Sequence, residues 1–152
     1  MNSDVSLLVL CTGNSCRSQM AEGWLRHFLG EDVRIESAGI EAHGLNPQAV
    51  AAMAEVGIDI SSQTSNRIDD FDGESFDYVI TVCDNARENC PFFPGAGRTI
   101  HHSFPDPADA TGSEEEIAAT FARVRDQIGL WAREFSARLE VERTTSNGTN
   151  SR

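Results

Sequence analysis

No stretch of this chain approaches the ~20 consecutive apolar residues that a membrane helix needs. The opening residues, Met1-Asn2-Ser3-Asp4, carry no basic region of the kind that begins an export signal. A soluble, cytoplasmic protein is expected. Basic residues are scarce, twelve against twenty-four acidic ones, giving a formal net charge of −12. Such a charge repels polyphosphate backbones and anionic bilayers, so neither nucleic acid nor membrane is expected as a partner. The four cysteines, Cys11, Cys16, Cys83 and Cys90, contain no Cys-x-x-Cys pair, and no histidine stands at zinc-finger distance from them. That pattern argues against structural zinc. Without an export signal a framework of two disulfides is not needed either, which leaves reduced thiols with chemical roles. His27, His43, His101 and His102 show no metal-ligand spacing, and surface or core positions are their default.

What is present fits one domain. The chain has 152 residues, of which 39% are hydrophobic and 24% charged, enough apolar mass for a self-sufficient core. Val5 to Leu10 is a continuous apolar run ending at Cys11, as expected of a strand buried on both faces. After Gly13-Asn14-Ser15, the residues Met20, Trp24, Leu25, Phe28 and Leu29 share one helical face, and Gly30 stops the helix. Val33 and Ile35 mark a second short strand. Asn46-Pro47 is a cap followed by a first-position proline, and Gly57 closes the helix that they open. Tyr78 to Val82 and Arg98 to Phe104 read as the third and fourth strands. Ser113-Glu114-Glu115-Glu116 is a capping-box pattern that starts a long amphipathic helix through Ile117, Phe121, Val124, Ile128, Trp131, Phe135 and Leu139. Both tryptophans lie on apolar stripes and are expected in the core.

This alternation predicts an α/β fold: an open, mostly parallel four-stranded sheet with helices on both faces. The catalytic domain is expected to span 1–141, with a polar, disordered tail over 142–152. In such sheets the ligand site lies beyond the carboxyl ends of the strands, where Cys11, Cys83 and Asp106 would converge.

The segment Cys11-Thr12-Gly13-Asn14-Ser15-Cys16-Arg17-Ser18 stands between a strand and a helix. A loop in that position can turn successive backbone N–H groups inward as an anion nest, reinforced by the helix N-terminus. Arg17 adds a planar fork of donors for two oxygens. Together they predict a cradle for a tetrahedral oxyanion. The same field favours the thiolate of Cys11, since helix N-termini and cations can lower a cysteine pKa from ~8.5 to ~3.5–7.5. Cys11 is therefore the candidate nucleophile, with the Ser18 hydroxyl as a further donor.

The run from Cys11 to Trp24 closely resembles the active-site loop of thioredoxin-coupled arsenate reductases, which share the fold of low-molecular-weight protein tyrosine phosphatases. The resemblance continues through Ser37-Ala38-Gly39-Ile40, His43-Gly44-Leu45-Asn46-Pro47, Thr81-Val82-Cys83-Asp84, Asn89-Cys90-Pro91 and Asp106-Pro107-Ala108, and covers roughly residues 5 to 140. For a phosphatase, Cys11, Arg17 and a general acid, Asp106, suffice. Cys83 and Cys90 have no task there. For a reductase, the resemblance implies that Cys83 attacks the Cys11–arsenate adduct, releasing arsenite and forming Cys11–Cys83. Cys90 then attacks Cys83, and thioredoxin reduces the Cys83–Cys90 disulfide; glutaredoxin or another thiol system is the alternative donor. No bound cofactor is implied. If 83–90 were helical, its end Cα atoms would stand ~10.5 Å apart, beyond the ~4.4–6.8 Å of a disulfide, so the segment is expected to rearrange during turnover.

Asp106, fixed between Pro105 and Pro107, is the expected general acid. The phosphatases follow this Asp-Pro with an aromatic residue, whereas Ala108-Asp109-Ala110 here points to a small inorganic substrate, arsenate. Cys16 has no role in the resemblance and is expected to be a packed spectator. Asn14, Glu22 and Ser37 match a potassium site of some family members, but Asn66 stands where those members have an aspartate, which argues against a cation. One site in one domain predicts a monomer. A small oxyanion is compatible with the −12 charge, because charges beyond a ~8 Å Debye length are largely screened.

Overall fold

Leu7, Leu8, Val9 and Leu10 are all fully buried, which successive residues of a strand achieve only when both of its faces are covered. They lie in β1, Ser6–Cys11, one of the two inner strands of a four-stranded sheet. The computed structural model describes residues 5–83 and 92–150, of which 143–150 by backbone alone. The other strands are β2, Arg34–Gly39, β3, Phe76–Thr81, and β4, Ala96–His101. All neighbours are parallel and the order is β2-β1-β3-β4. The chain leaves β1 for β2 on one side and later returns to place β3 on the other. The carboxyl ends of β1 and β3 therefore flank the switch point of the sheet, where open α/β sheets bind ligands.

Three α-helices complete the frame: α1, Arg17–Leu29, α2, Pro47–Glu55, and α3, Glu114–Asn150. Their apolar faces share one core with Leu7 and Val9. Leu8 and Leu10 point to the other face and pack with Phe71, Phe76, Val79 and Phe93. The expected caps are in place. The Asn46 side chain accepts the N–H of Gln48 at 2.8 Å, and Ser113 and Glu116 bond each other's backbone N–H groups. Trp24 and Trp131 lie on the helical stripes; the Trp24 indole also donates to the Arg125 carbonyl at 3.0 Å, over Gly129, where a Cβ would collide with the ring.

Two expectations are corrected. The second strand runs well past Ile35 to Gly39, through the small residues Ser37, Ala38 and Gly39. Small side chains are required there: a Cβ on Gly39 would stand 2.6 Å from the Thr12 carbonyl oxygen and 2.9 Å from the Asn14 nitrogen. The polar segment from 142, expected to be disordered, continues α3 as far as Asn150. Once a helix is running, each further residue adds a hydrogen bond without a new nucleation cost, and no proline interrupts this stretch.

Candidate active site

Strand register brings the reactive groups to one edge. Cys11 pairs with Gly39 on β2, and Leu10 pairs with Thr81 on β3. The Val82 N–H donates to the Leu10 carbonyl at 3.0 Å, so Cys83 leaves β3 just beyond the level at which Cys11 leaves β1. Adjacent strands stand about 4.8 Å apart. Beyond β4, the Phe104 N–H donates to the Val82 carbonyl at 3.2 Å, which turns Pro105 and Asp106 back over the same edge.

The loop after β1 is built with its carbonyls outward. Thr12, Gly13 and Ser15 carbonyls accept the backbone N–H groups of Glu41, His43 and Asn46 at 3.1, 2.9 and 3.1 Å. The Asn14 carbonyl accepts Gln19 Nε2 at 3.1 Å and Ser65 Oγ at 2.8 Å. With every carbonyl from 12 to 15 held by the surrounding chain, the amide edge of the loop turns to the cleft, the arrangement of an anion nest. Asn14 has φ 49°, a left-handed conformation that asparagine tolerates better than other side-chain-bearing residues. α1 begins at Arg17, so its N-terminus faces the same space.

A chain of side-chain bonds runs from Asn66 through Asn14 to Ser18 and Cys11. The Asn66 N–H donates to Asn14 Oδ1 at 2.6 Å, which commits the other end of that amide to donate. Asn14 Nδ2 donates to Ser18 Oγ at 2.8 Å and to Ser37 Oγ at 3.0 Å. Each hydroxyl, already an acceptor, keeps its own hydrogen available for a further partner. Ser37 donates to Glu22 Oε1 at 2.6 Å, and Ser18 Oγ lies 3.0 Å from Cys11 Sγ, within reach to donate to a thiolate there. Asn14, Ser18, Ser37 and Glu22 are all buried. Burial pushes the Glu22 carboxyl above its ordinary range, opposed by the Ser37 bond and by Arg26, whose Nη2 lies 2.8 Å from it.

These contacts do not fit a potassium ion. Asn66 Nδ2 donates to the Ser37 carbonyl at 3.0 Å, Asn14 presents an NH₂ to the Ser37 hydroxyl, and Arg26 supplies the positive charge at Glu22. Donors stand where a cation needs oxygen lone pairs.

Arg17 is 3% exposed, donates to the Phe104 carbonyl at 3.3 Å and lies 3.5 Å from Asp106 Oδ2. It thereby joins the loop after β1 to the loop after β4. Asp106 caps a short turn, accepting the Ala108 N–H at 3.0 Å, and remains partly open to solvent. Cys11, Thr12, Gly13, Ser15, Cys16, Arg17, His43, Pro105, Asp106, Ala108 and Asp109 line a cleft of about 490 Å³. After Pro107 the wall is carried by Ala108 and Asp109, while Ala110 lies outside the lining. Asn14 and Ser18 act from behind the loop rather than from its lining.

The cysteines differ sharply. Cys11 and Cys16 are free and buried. Burial pushes the Cys16 thiol up to about 11, with the Ser15 bond and Arg17 opposing and the charges of Asp106 and Cys11 reinforcing, so it is protonated at neutral pH. Cys83 is fully buried and disulfide-bonded, its partner lying outside the described residues. Cys90 and the expected rearranging segment 84–90 also lie outside them.

The sequence did not mark His43. It was expected to be a default surface or core histidine, but it stands in the cleft wall beside Gly13; its only sequence signal was its place in the resembling stretch 43–47. Gln19, Ser65 and Asn66 were likewise not expected to support the loop; Gln19 reaches back five residues to the Asn14 carbonyl, whereas Ser65 and Asn66 reach Asn14 across separations of 51 and 52.

A parallel α/β sheet whose first strand delivers a cysteine into a nest-like loop followed by an arginine, with an aspartate 3.5 Å from that arginine, has the architecture of a phosphatase-like class of thiol enzymes. The model of the low molecular weight phosphotyrosine protein phosphatase family matches residues 6–145, and the chain belongs to that family. Within it, the chain is 57% identical over 127 residues to an arsenate reductase of Bacillus subtilis (strain 168), covering 84% of this chain and 91% of that protein. It is 52% identical over 136 residues to an arsenate reductase of Halalkalibacterium halodurans, covering 90% and 97%. Among solved structures, an arsenate reductase in the phosphate-binding state superposes with a TM-score of 0.75 at 31% identity, covering 88% of this chain and 98% of that one.

Proposed function

We propose that this protein is an arsenate reductase that turns over by a Cys11–Cys83–Cys90 relay. The Cys11 thiolate attacks arsenic while Arg17 and the loop amides hold the oxyanion, and Asp106 protonates the departing oxygen, which leaves as water. The Cys83 thiolate then attacks Cys11 Sγ: a sulfur–sulfur bond forms, the arsenic–sulfur bond breaks, and its electron pair stays on arsenic, reducing As(V) to As(III). The Cys90 thiolate attacks Cys83, freeing Cys11, and an external dithiol of the thioredoxin kind reduces the Cys83–Cys90 disulfide. Thr12, Gly13, Asn14, Ser15, Cys16, Arg17 and Ser18 form or support the oxyanion cradle.

The observation that carries this reading is the register of β1 and β3, which sets Cys83 at the edge of the strand beside that of Cys11. A phosphatase has no use for a thiol there. Such a relay needs a reducing compartment, which favours the cytoplasm, and needs no second subunit. Among the described residues no helix is long and apolar enough to cross a membrane. NADPH consumption with arsenate, thioredoxin and thioredoxin reductase tests the donor. Sustained, arsenate-dependent oxidation is expected; a flat trace alongside robust glutaredoxin coupling would replace the donor and keep the relay.

A further inference from the structure

We propose that His43, held by Glu41, is a protonation-dependent second cation of the oxyanion site, so that anion affinity rises as this imidazole gains its proton. The proposal rests on the oxyanion reading of the cleft but not on which reaction follows binding. Three observations carry it. First, His43 is tied to the loop that binds the anion: its N–H donates to the Gly13 carbonyl at 2.9 Å, and Glu41 does the same to Thr12 at 3.1 Å. Second, its ring lies against Gly13 so closely that an added Cβ would stand 2.6 Å from Nδ1, and the residue lines the cleft. Third, Nε2 lies 2.5 Å from Glu41 Oε1.

The third contact decides what the cleft meets. Glu41 accepts a hydrogen only, so Nε2 carries one in every protonation state. In the neutral ring Nδ1 is then a lone pair, which repels an oxyanion oxygen. In the imidazolium Nδ1 is a donor on a charged ring. Anion binding and uptake of that proton are therefore coupled, and the coupling is reciprocal. The charged groups around His43 are Glu41 on its own loop, Arg17 and the two thiols of Cys11 and Cys16 on the β1 loop and α1, and Asp106 and Asp109 on the acid loop. In a chain of net charge −12 this is a local reversal of sign at the mouth, where only Arg17 otherwise supplies a cationic side chain to the cleft lining among the described residues.

The test is calorimetric titration of the reduced full chain with inorganic phosphate, which takes no electrons from thiols. Wild type, His43→Gln and Glu41→Gln are compared from about pH 5.5 to about pH 8.5, the range that spans imidazole ionisation. The ratio of wild-type to His43→Gln affinity cancels the ionisation of phosphate itself. At the acid end wild type should bind roughly tenfold tighter, the scale of one charge-assisted bond, and the ratio should fall toward one at the alkaline end. In Glu41→Gln, which leaves the ring in place but removes its carboxylate partner, the preference at the acid end should shrink. A ratio that stays at one, or a preference that does not change with pH, would overturn the proposal alone. Absence of phosphate binding to any of the proteins would overturn the oxyanion reading together with it.

Discussion

The two walls of the cleft are built in opposite ways. The nucleophile wall, residues 11–18, is held by a continuous set of buried bonds: four carbonyls taken from outside, and Asn14 joining Asn66, Ser18 and Ser37. The acid wall, 104–109, has two prolines, one Asx turn at Asp106 and the link to Arg17. The first is specified by many interdependent partners, the second by local backbone restriction. A thiolate needs fixed donors at a fixed distance, so its geometry must be over-determined. An acid that hands over one proton needs reach and access to solvent. Damage to the first wall should therefore cost both fold and chemistry, and damage to the second chemistry alone.

Replacing Asn14 by alanine is the severest way to break the first wall. It strands the Asn66 N–H, releases both hydroxyls and leaves an alanine at positive φ. We expect a loss of about 3 kcal/mol in urea unfolding, and at least a ~100-fold fall in arsenate turnover. Asp106→Asn should sharpen the contrast. Its kcat should fall by about 100-fold, the scale of general acid catalysis, while the urea midpoint moves by no more than ~0.5 kcal/mol. A comparable loss of stability in Asp106→Asn would show that the second wall is structural after all.

Much of the acid wall was legible in the sequence because its determinants are local: Pro105, Asp106 and Pro107 are adjacent, and the turn follows from them. The nucleophile wall was legible only in outline. Cys11, Gly13 and Arg17 announce a loop, but Asn14 reaches Ser37 and Asn66 across separations of 23 and 52 residues, which no periodicity encodes. Strand β2 was foreseen only over its first residues, Arg34 to Glu36, because the small residues that let Gly39 approach the loop lack a β-branched signature. His43 escaped for the same reason: its place depends on how the loop after β2 packs on the loop after β1. The extension of α3 was missed because composition reports solvation, not whether a running helix has a reason to stop.

The smallest expected effect concerns the thiol inside the first wall. The folded-state value of Cys16, raised from 9.0 to about 11, means that the folded chain keeps a proton that the unfolded chain releases. Its contribution to stability is complete below pH 9 and is lost as pH rises through 11. Wild type should lose about 1 kcal/mol relative to neutral pH by pH 10 that Cys16→Ala does not lose. Parallel pH profiles for the two proteins would show that this thiol is not shielded by the wall.

The most direct test of the relay is Cys83→Ser, assayed on two substrates in one preparation. Cys83 belongs to neither wall and follows β3 at the sheet edge beside Cys11. The account predicts that arsenate turnover stops while Cys11 still forms its adduct with the anion, and that any hydrolysis of p-nitrophenyl phosphate is retained. Continued multiple turnover of arsenate by Cys83→Ser would contradict the relay outright.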